Sequence, residues 1–235
     1  MQERFERSTL LLGEQGMERL AHSTVAIFGI GGVGSYTAEA LARCGIGHVV
    51  LVDHDVVCLS NLNRQLHAIE KTIGMKKVEA MKQRMLQINP DMQVTALPLF
   101  YLPETADQIP LAQYDYVVDA MDTVTAKLEL AQRCWENGIA QISSMGAGNK
   151  LDPTKFQVTD LYQTTMCPLA RVMRRELRHR GVERLKVVYS TEPAKVGQQA
   201  ESGKNVLGSV SFVPSVAGLI AAGEVVRDMI GIHDN

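Results

Sequence analysis

Short apolar runs alternate with longer amphipathic stretches along most of this chain. Val25 to Phe28, Val49 to Asp53, Val94 to Leu99, Tyr114 to Ala120 and Ala140 to Met145 are bounded by polar or glycine positions and read as buried strands. Between them, Val33 to Cys44, Gly74 to Ile88 and Thr123 to Glu136 carry their apolar residues at helical spacing, and a leading helix is expected from Thr9 to Leu20. Helices that separate strands in this way predict an α/β protein built on a doubly wound, mostly parallel sheet, since a parallel pair needs a crossover.

The pattern changes after Gly148. Phe156 to Leu161 and Lys186 to Ser190 read as strands flanking a charged helix, Pro168 to Arg180, which opens on proline and stops at Gly181. Glu192 to Lys204 is rich in Gln, Ser, Gly and Lys and is expected to be a mobile loop. A final helix, Pro214 to Ile230, is apolar on most sides and is expected to pack into the core or a subunit interface. Residues 1–235 are therefore expected to form a single domain, a nucleotide-binding part over 1–150 followed by a C-terminal elaboration over 151–235 for substrate binding and dimerisation.

Composition narrows this picture. With 235 residues, 46% of them hydrophobic, the chain can bury one full α/β core. Its four cysteines are far apart in sequence, with neither a C-x-x-C pair nor a dense framework, which points to a reduced, cytoplasmic setting. The N-terminus lacks a signal-type apolar core and the apolar stretch from Phe212 to Gly223 is too short to span a bilayer, so no membrane association is expected. The formal net charge of −2 conceals an asymmetry, because Cys167 to Lys204 holds nine Lys/Arg against four Asp/Glu.

The first strand runs into Gly29-Ile30-Gly31-Gly32-Val33-Gly34, and Asp53 closes the next strand. Glycines at that point allow a tight turn and close backbone approach, so that N–H groups at a helix start can face phosphate while the carboxylate takes ribose hydroxyls. This Rossmann-like unit does not by itself separate NAD from ATP. The segment after Asp53 does: Asn61-x-x-Arg64-Gln65 sets a guanidinium between two amides, suited to polyphosphate oxygens, and has no task in a plain dinucleotide-binding module. Lys77 is either a further phosphate contact or surface charge. Asp119 and Asp122 follow a strand at the sheet edge where ligands bind, and a carboxylate there can hold Mg²⁺. The alternative for Asp122 is a cap on the following helix.

Taken in order, G-x-G-G-x-G, Asp53-x-Asp55, Ser60-Asn61-x-x-Arg64-Gln65, Lys77 and Asp119-x-x-Asp122 resemble the ThiF/MoeB/HesA adenylating family, which is related to the ubiquitin-activating enzymes. The resemblance implies ATP and Mg²⁺ as cofactors and activation of a carboxylate. It gives Gly29, Gly31, Gly32 and Gly34 the phosphate turn, and Asp53 the ribose with Asp55 beside it. Asn61, Arg64, Gln65 and Lys77 take the phosphates, and Asp122 takes Mg²⁺ and the reacting phosphate. Arg7 matches an arginine that in this family reaches into the ATP site of a dimer partner, which implies a homodimer.

Within the family, Ala38 to Arg43, Asn63 to Ala68, Ser143 to Thr154 and Phe212 to Gly218 are similar to the subgroup that dehydrates threonylcarbamoyladenosine beside the anticodon of tRNA. That subgroup is also associated with a monovalent cation, K⁺ or Na⁺, and a sulfur-relay protein is a further partner open to this chain. The other activity open to the family is adenylation of the C-terminus of a ubiquitin-like sulfur carrier. Relatives that do this often carry two C-x-x-C pairs, absent here, although Cys167 before the charged helix stands as a candidate nucleophile for it. Cys44, Cys58 and Cys134 are expected to be packing residues.

Independently of any family, Arg171, Arg174, Arg175 and Arg178 fall on one stripe of the Pro168 helix, with Leu169, Val172, Met173 and Leu177 opposite. An apolar side that docks and an arginine side that faces out suits an RNA backbone, against the simpler reading of a solvated helix face. Gly146 to Asn149, just past a strand, is expected to lie near the modified base.

Overall fold

The computed structural model describes residues 3–195 and 207–232. The expected loop at Glu192 to Lys204 lies largely outside them. Seven strands form a single sheet in the order β3-β2-β1-β4-β5-β7-β6. They are β1 (Thr24–Phe28), β2 (His48–Val52), β3 (Gln93–Leu97), β4 (Tyr116–Asp119), β5 (Ala140–Ser144), β6 (Phe156–Asp160) and β7 (Lys186–Ser190). All neighbours run parallel except β6, which lies antiparallel on β7, with Val158 opposite Val188.

Both faces of the sheet are covered, which is why its central strands are apolar throughout rather than alternating. Val25, Ile27, Val49 and Leu51 point into a core shared with α2 (Gly34–Cys44), α3 (Lys77–Ile88) and α6 (Pro214–Ile230). Ala26, Phe28, Val50 and Val52 point the other way, toward α4 (Val124–Glu136). Farther along that second face α4 meets α5 (Pro168–His179) through Leu128, Ala131, Ala170, Met173 and Leu177. The apolar final helix is thus consumed inside the chain's own core. Its Gly218 lies so close to α2 that a Cβ would sit 2.3 Å from the Val33 carbonyl oxygen, and Thr37 Oγ1 donates to the Gly218 carbonyl at 3.0 Å.

Two elements differ from the pattern-based expectation in ways that matter. The leading helix α1 (Glu6–His22) starts earlier than Thr9 and is broken at Gly13, leaving Leu10 and Leu11 more than four-fifths exposed. The third helix starts at Lys77 instead of Gly74, because Lys76 is drawn into an antiparallel bridge with Val56 and the Gly74 N–H donates to the Val57 carbonyl. Lys77 therefore becomes the first residue of α3.

From β1 the chain crosses to β2 and β3 on one side and returns to β4 on the other. The crevice outside the carboxyl ends of β1 and β4 is the point where an open sheet of this type binds its ligands.

Candidate active site

That crevice is a cavity of about 390 Å³, and its floor is the turn between β1 and α2. Gly29 has φ +87°, and a Cβ there would sit 2.7 Å from the Ala120 carbonyl oxygen at the end of β4. At Gly34 a Cβ would sit 1.9 Å from the Gly29 carbonyl oxygen, so only glycine lets the first turn of α2 close onto the end of β1. No side chain caps the start of α2. A helix N-terminus presenting uncapped N–H groups to a cavity is an anion site.

Asp53 stands at the side of this turn with both carboxylate oxygens held by main chain. Oδ2 accepts the Ile30 N–H at 2.6 Å and Oδ1 accepts the Asp55 N–H at 2.8 Å. Its orientation is fixed before any ligand arrives. Beyond it the His54 ring stacks on Phe100, with centroids 4.0 Å apart, giving an aromatic rim next to Leu99 and Tyr101.

Asn61, Arg64 and Gln65 of the N-x-x-R-Q segment line the same cavity, and Lys77 lines it too. A 3-10 turn over Leu59–Asn61 carries the first of them, and Asn61 Oδ1 closes that turn by accepting the Cys58 N–H at 3.0 Å. Arg64 Nη1 is steadied by the Ser60 carbonyl at 2.8 Å and Asn63 Oδ1 at 2.9 Å. Lys77 is buried, and its Nζ meets Asp55 Oδ2 at 2.7 Å. Burial pushes the Asp55 carboxyl up, but the hydrogen bond and charge of Lys77, with His54 and Lys76, outweigh this and hold it below the usual range. Behind the wall His67 is 3% exposed and neither ring nitrogen has a hydrogen-bond partner. Burial, with Lys77 and Arg84 nearby, pushes its imidazole down to about 4, so it is neutral at pH 7.

The two candidate acids at the end of β4 part company. Asp122 is exposed to the cavity and lies just outside α4, whose N-cap is Thr123, so it does not act as the helix cap. Asp119 is fully buried and unavailable to a metal. Its Oδ2 meets Lys127 Nζ at 2.9 Å and accepts from Ser143 Oγ at 2.6 Å, while Oδ1 accepts the Met121 N–H at 3.2 Å. Lys127 is a residue that sequence reasoning missed. The signal was present, since Lys127 shares the register of Leu130, Ala131 and Cys134 on the buried stripe of α4. Such a lysine needs a buried partner.

Ala147 and Gly148 line the far rim, together with Pro214 and with Leu207, Gly208 and Ser209, which pattern reading had not singled out. Asn149, with φ +57°, ties the two segments of that rim together by donating its N–H to the Gly208 carbonyl at 2.8 Å and accepting the Gly208 N–H on Oδ1 at 2.6 Å. Arg7 is exposed on α1 and is not among the residues lining the cavity.

On α5 the docked face is Ala170, Met173 and Leu177, whereas Val172, expected inside, is 37% exposed. Arg174 is half-buried and donates to the Thr164 carbonyl at 2.8 Å. Arg171, Arg175 and Arg178 remain exposed, the last over the Tyr162 ring at 5.3 Å. Cys167 is 4% exposed within the α4–α5 core, among Leu128, Met145 and Leu161, and does not line the cavity. Cys134 is buried, where desolvation and Asp119 push its thiol up to about 12. Cys58, expected to be a packing residue, is exposed, because the turn it starts lies on the surface.

The sequence matches the ThiF family over residues 5–235. It is 45% identical to the tRNA threonylcarbamoyladenosine dehydratase of Bacillus subtilis, a match covering 98% of this chain and 96% of that protein. It is 36% identical to the Escherichia coli protein of the same name, covering 97% and 94%. A crystal structure of the E. coli dehydratase in complex with ATP superposes with a TM-score of 0.89 at 37% identity, covering 97% of this chain and 94% of that one.

Proposed function

This chain belongs to the ThiF family, and we propose that it is an ATP-dependent dehydratase of threonylcarbamoyladenosine in tRNA. The observation that carries the reading is one crevice holding the glycine turn, a pre-oriented Asp53, the Arg64 and Lys77 cations and an exposed Asp122, in a chain alike to such dehydratases over nearly its whole length.

In this reaction ATP activates the threonyl carboxylate, and an atom of the same modified base displaces the activated oxygen, closing a ring with net loss of water. Because the nucleophile belongs to the substrate, the protein needs to position the reactants and stabilise charge, and needs no nucleophile of its own. We assign Asp53 to the ribose. The α2 start, Asn61, Arg64, Gln65 and Lys77 are assigned to phosphate oxygens, Lys77 exchanging its Asp55 partner for them. Mg²⁺ would be held by Asp122, a hard oxygen donor facing the phosphate wall. The cluster of Asp53, His54 and Asp55 suits a metal less, since its carboxylates are engaged by main chain and by Lys77. A monovalent cation, Na⁺ or K⁺, belongs to the same proposal.

The tRNA is proposed to lie along α5, with Arg171, Arg175 and Arg178 on its backbone and Arg174 bracing the helix start. A homodimer in which Arg7 completes the partner's site is supported by its position beside the exposed Leu10 and Leu11. We place the activity in the cytoplasm, where a sulfur-relay protein can serve as partner. No helix of the described residues is long and apolar enough to cross a membrane. Activation of a sulfur carrier through a Cys167 thioester is disfavoured, because that thiol is enclosed in the core.

The test is to incubate the protein with ATP, Mg²⁺ and tRNA carrying threonylcarbamoyladenosine, then to digest and weigh the nucleosides. A loss of one water that requires ATP and disappears in Asp122→Ala and Arg64→Ala is the expected result. An unaltered nucleoside in the presence of bound ATP refutes the reading.

A further inference from the structure

We infer that Lys127 is a positioning residue that locks the Asp122 turn to the opposite lip of the cavity; the inference rests on the dehydratase reading for its catalytic consequence. The side chains of Lys127 and Asp119 are both 0% exposed. An ammonium has three N–H donors and no acceptor, so burying one demands three acceptors. Lys127 has them: Asp119 Oδ2 at 2.9 Å, the Ser144 carbonyl at 2.9 Å and the Met121 carbonyl at 3.2 Å.

Those acceptors belong to two different walls. Met121 immediately precedes Asp122, while Ser144 ends β5 and leads into Ala147 and Gly148 on the far rim. Asp119 completes the tie, holding the Met121 N–H on one oxygen and Ser143 Oγ on the other. One fully buried charge thus sets the spacing between the carboxylate on the phosphate side and the loop on the substrate side. An interior ion pair of this kind adds little net stability over an apolar equivalent, which leaves geometric definition as its main return. Displacement of a reacting group by about 1 Å costs on the order of 100-fold in rate.

The experiment compares wild type, Lys127→Met and the charge-neutral double variant Lys127→Met/Asp119→Asn, which leaves no unpaired buried charge. Melting temperature, ATP affinity by calorimetry, turnover on modified tRNA and amide hydrogen exchange over 119–123 and 143–148 are measured for each. The double variant is expected to fold and to bind ATP within about threefold of wild type, with KM for ATP little changed. Its turnover is expected to fall on the order of 100-fold, with faster exchange in both segments. Wild-type turnover in the double variant, exchange unchanged in both segments, or failure of both variants to fold would each overturn the inference in favour of a purely structural pair. If wild type itself releases no water from the modified tRNA, the dehydratase reading falls, and the exchange data still decide whether Lys127 couples the two walls.

Discussion

Replacing Gly34 by alanine tests whether the start of α2 is where phosphate binds. The new Cβ would lie 1.9 Å from the Gly29 carbonyl oxygen, and contacts under 3.0 Å do not occur, so the helix start must retreat by about 1.1 Å. A hydrogen bond of about 2.9 Å from that helix start to a phosphate oxygen then becomes about 4.0 Å, beyond useful range. Losing one bond to a charged oxygen costs about 1.5–3 kcal/mol, or roughly 10- to 150-fold in Kd. Overpacking adds a penalty of about 1–3 kcal/mol to folding, which for a chain of this size lowers the melting temperature by about 2–12 °C. Calorimetric titration with ATP and thermal melts read the two effects separately. Gly223→Ala is the control: this exposed site on α6 has no neighbour within 4 Å of a Cβ, so ATP affinity should be unchanged and stability should rise by about 0.5–1 kcal/mol. Should Gly34→Ala bind ATP within threefold of wild type and melt within a degree of it, the argument for the helix start as phosphate site is wrong.

Three further outcomes are expected. Glu39 joins α2 to α3 by accepting from Arg43 and Arg84 at 2.7–3.0 Å; burial raises its carboxyl, but the two arginines outweigh this and hold it below its ordinary value of 4.5. Its contribution is complete above pH 4.5 and is lost as pH falls below that value, so Glu39→Gln should lower the melting temperature at pH 7 and converge on wild type in acid; an equal deficit at pH 3 and pH 7 would contradict it. Changing Arg171, Arg175 and Arg178 together to Gln should weaken tRNA binding and flatten its log–log salt dependence by about two to three units, and an unaltered slope in filter binding would move the RNA elsewhere. Cys167→Ala should keep full dehydratase turnover while melting lower by a few degrees, since a buried sulfur leaves a small void; loss of turnover with the fold intact would restore the thiol to the chemistry.

Much of the site was legible because its parts are contiguous. The glycine turn, Asp53 and N-x-x-R-Q follow one another from the end of β1 through the loop after β2, and the structure brings them into a single cavity. The helix Pro214–Ile230 and the strand Lys186–Ser190 were legible end to end from apolar period and terminal punctuation. Periodicity does not say which strand is whose neighbour. The insertion of β7 between β5 and β6, the antiparallel course of β6 and the use of α6 as cover for α2 follow from contacts between segments far apart in the chain. The same holds for charge. Glu39 meets Arg84 across 45 positions, and whether Lys127 or Asp119 faces water or an opposite charge depends on what the rest of the fold stacks over them. Sequence alone determined where most of the elements lie and the chemistry carried on them, because apolar period and terminal punctuation are local signals. Only the tertiary structure decided which acid faces the cavity and which is spent as scaffold, because desolvation is a property of the whole packed assembly.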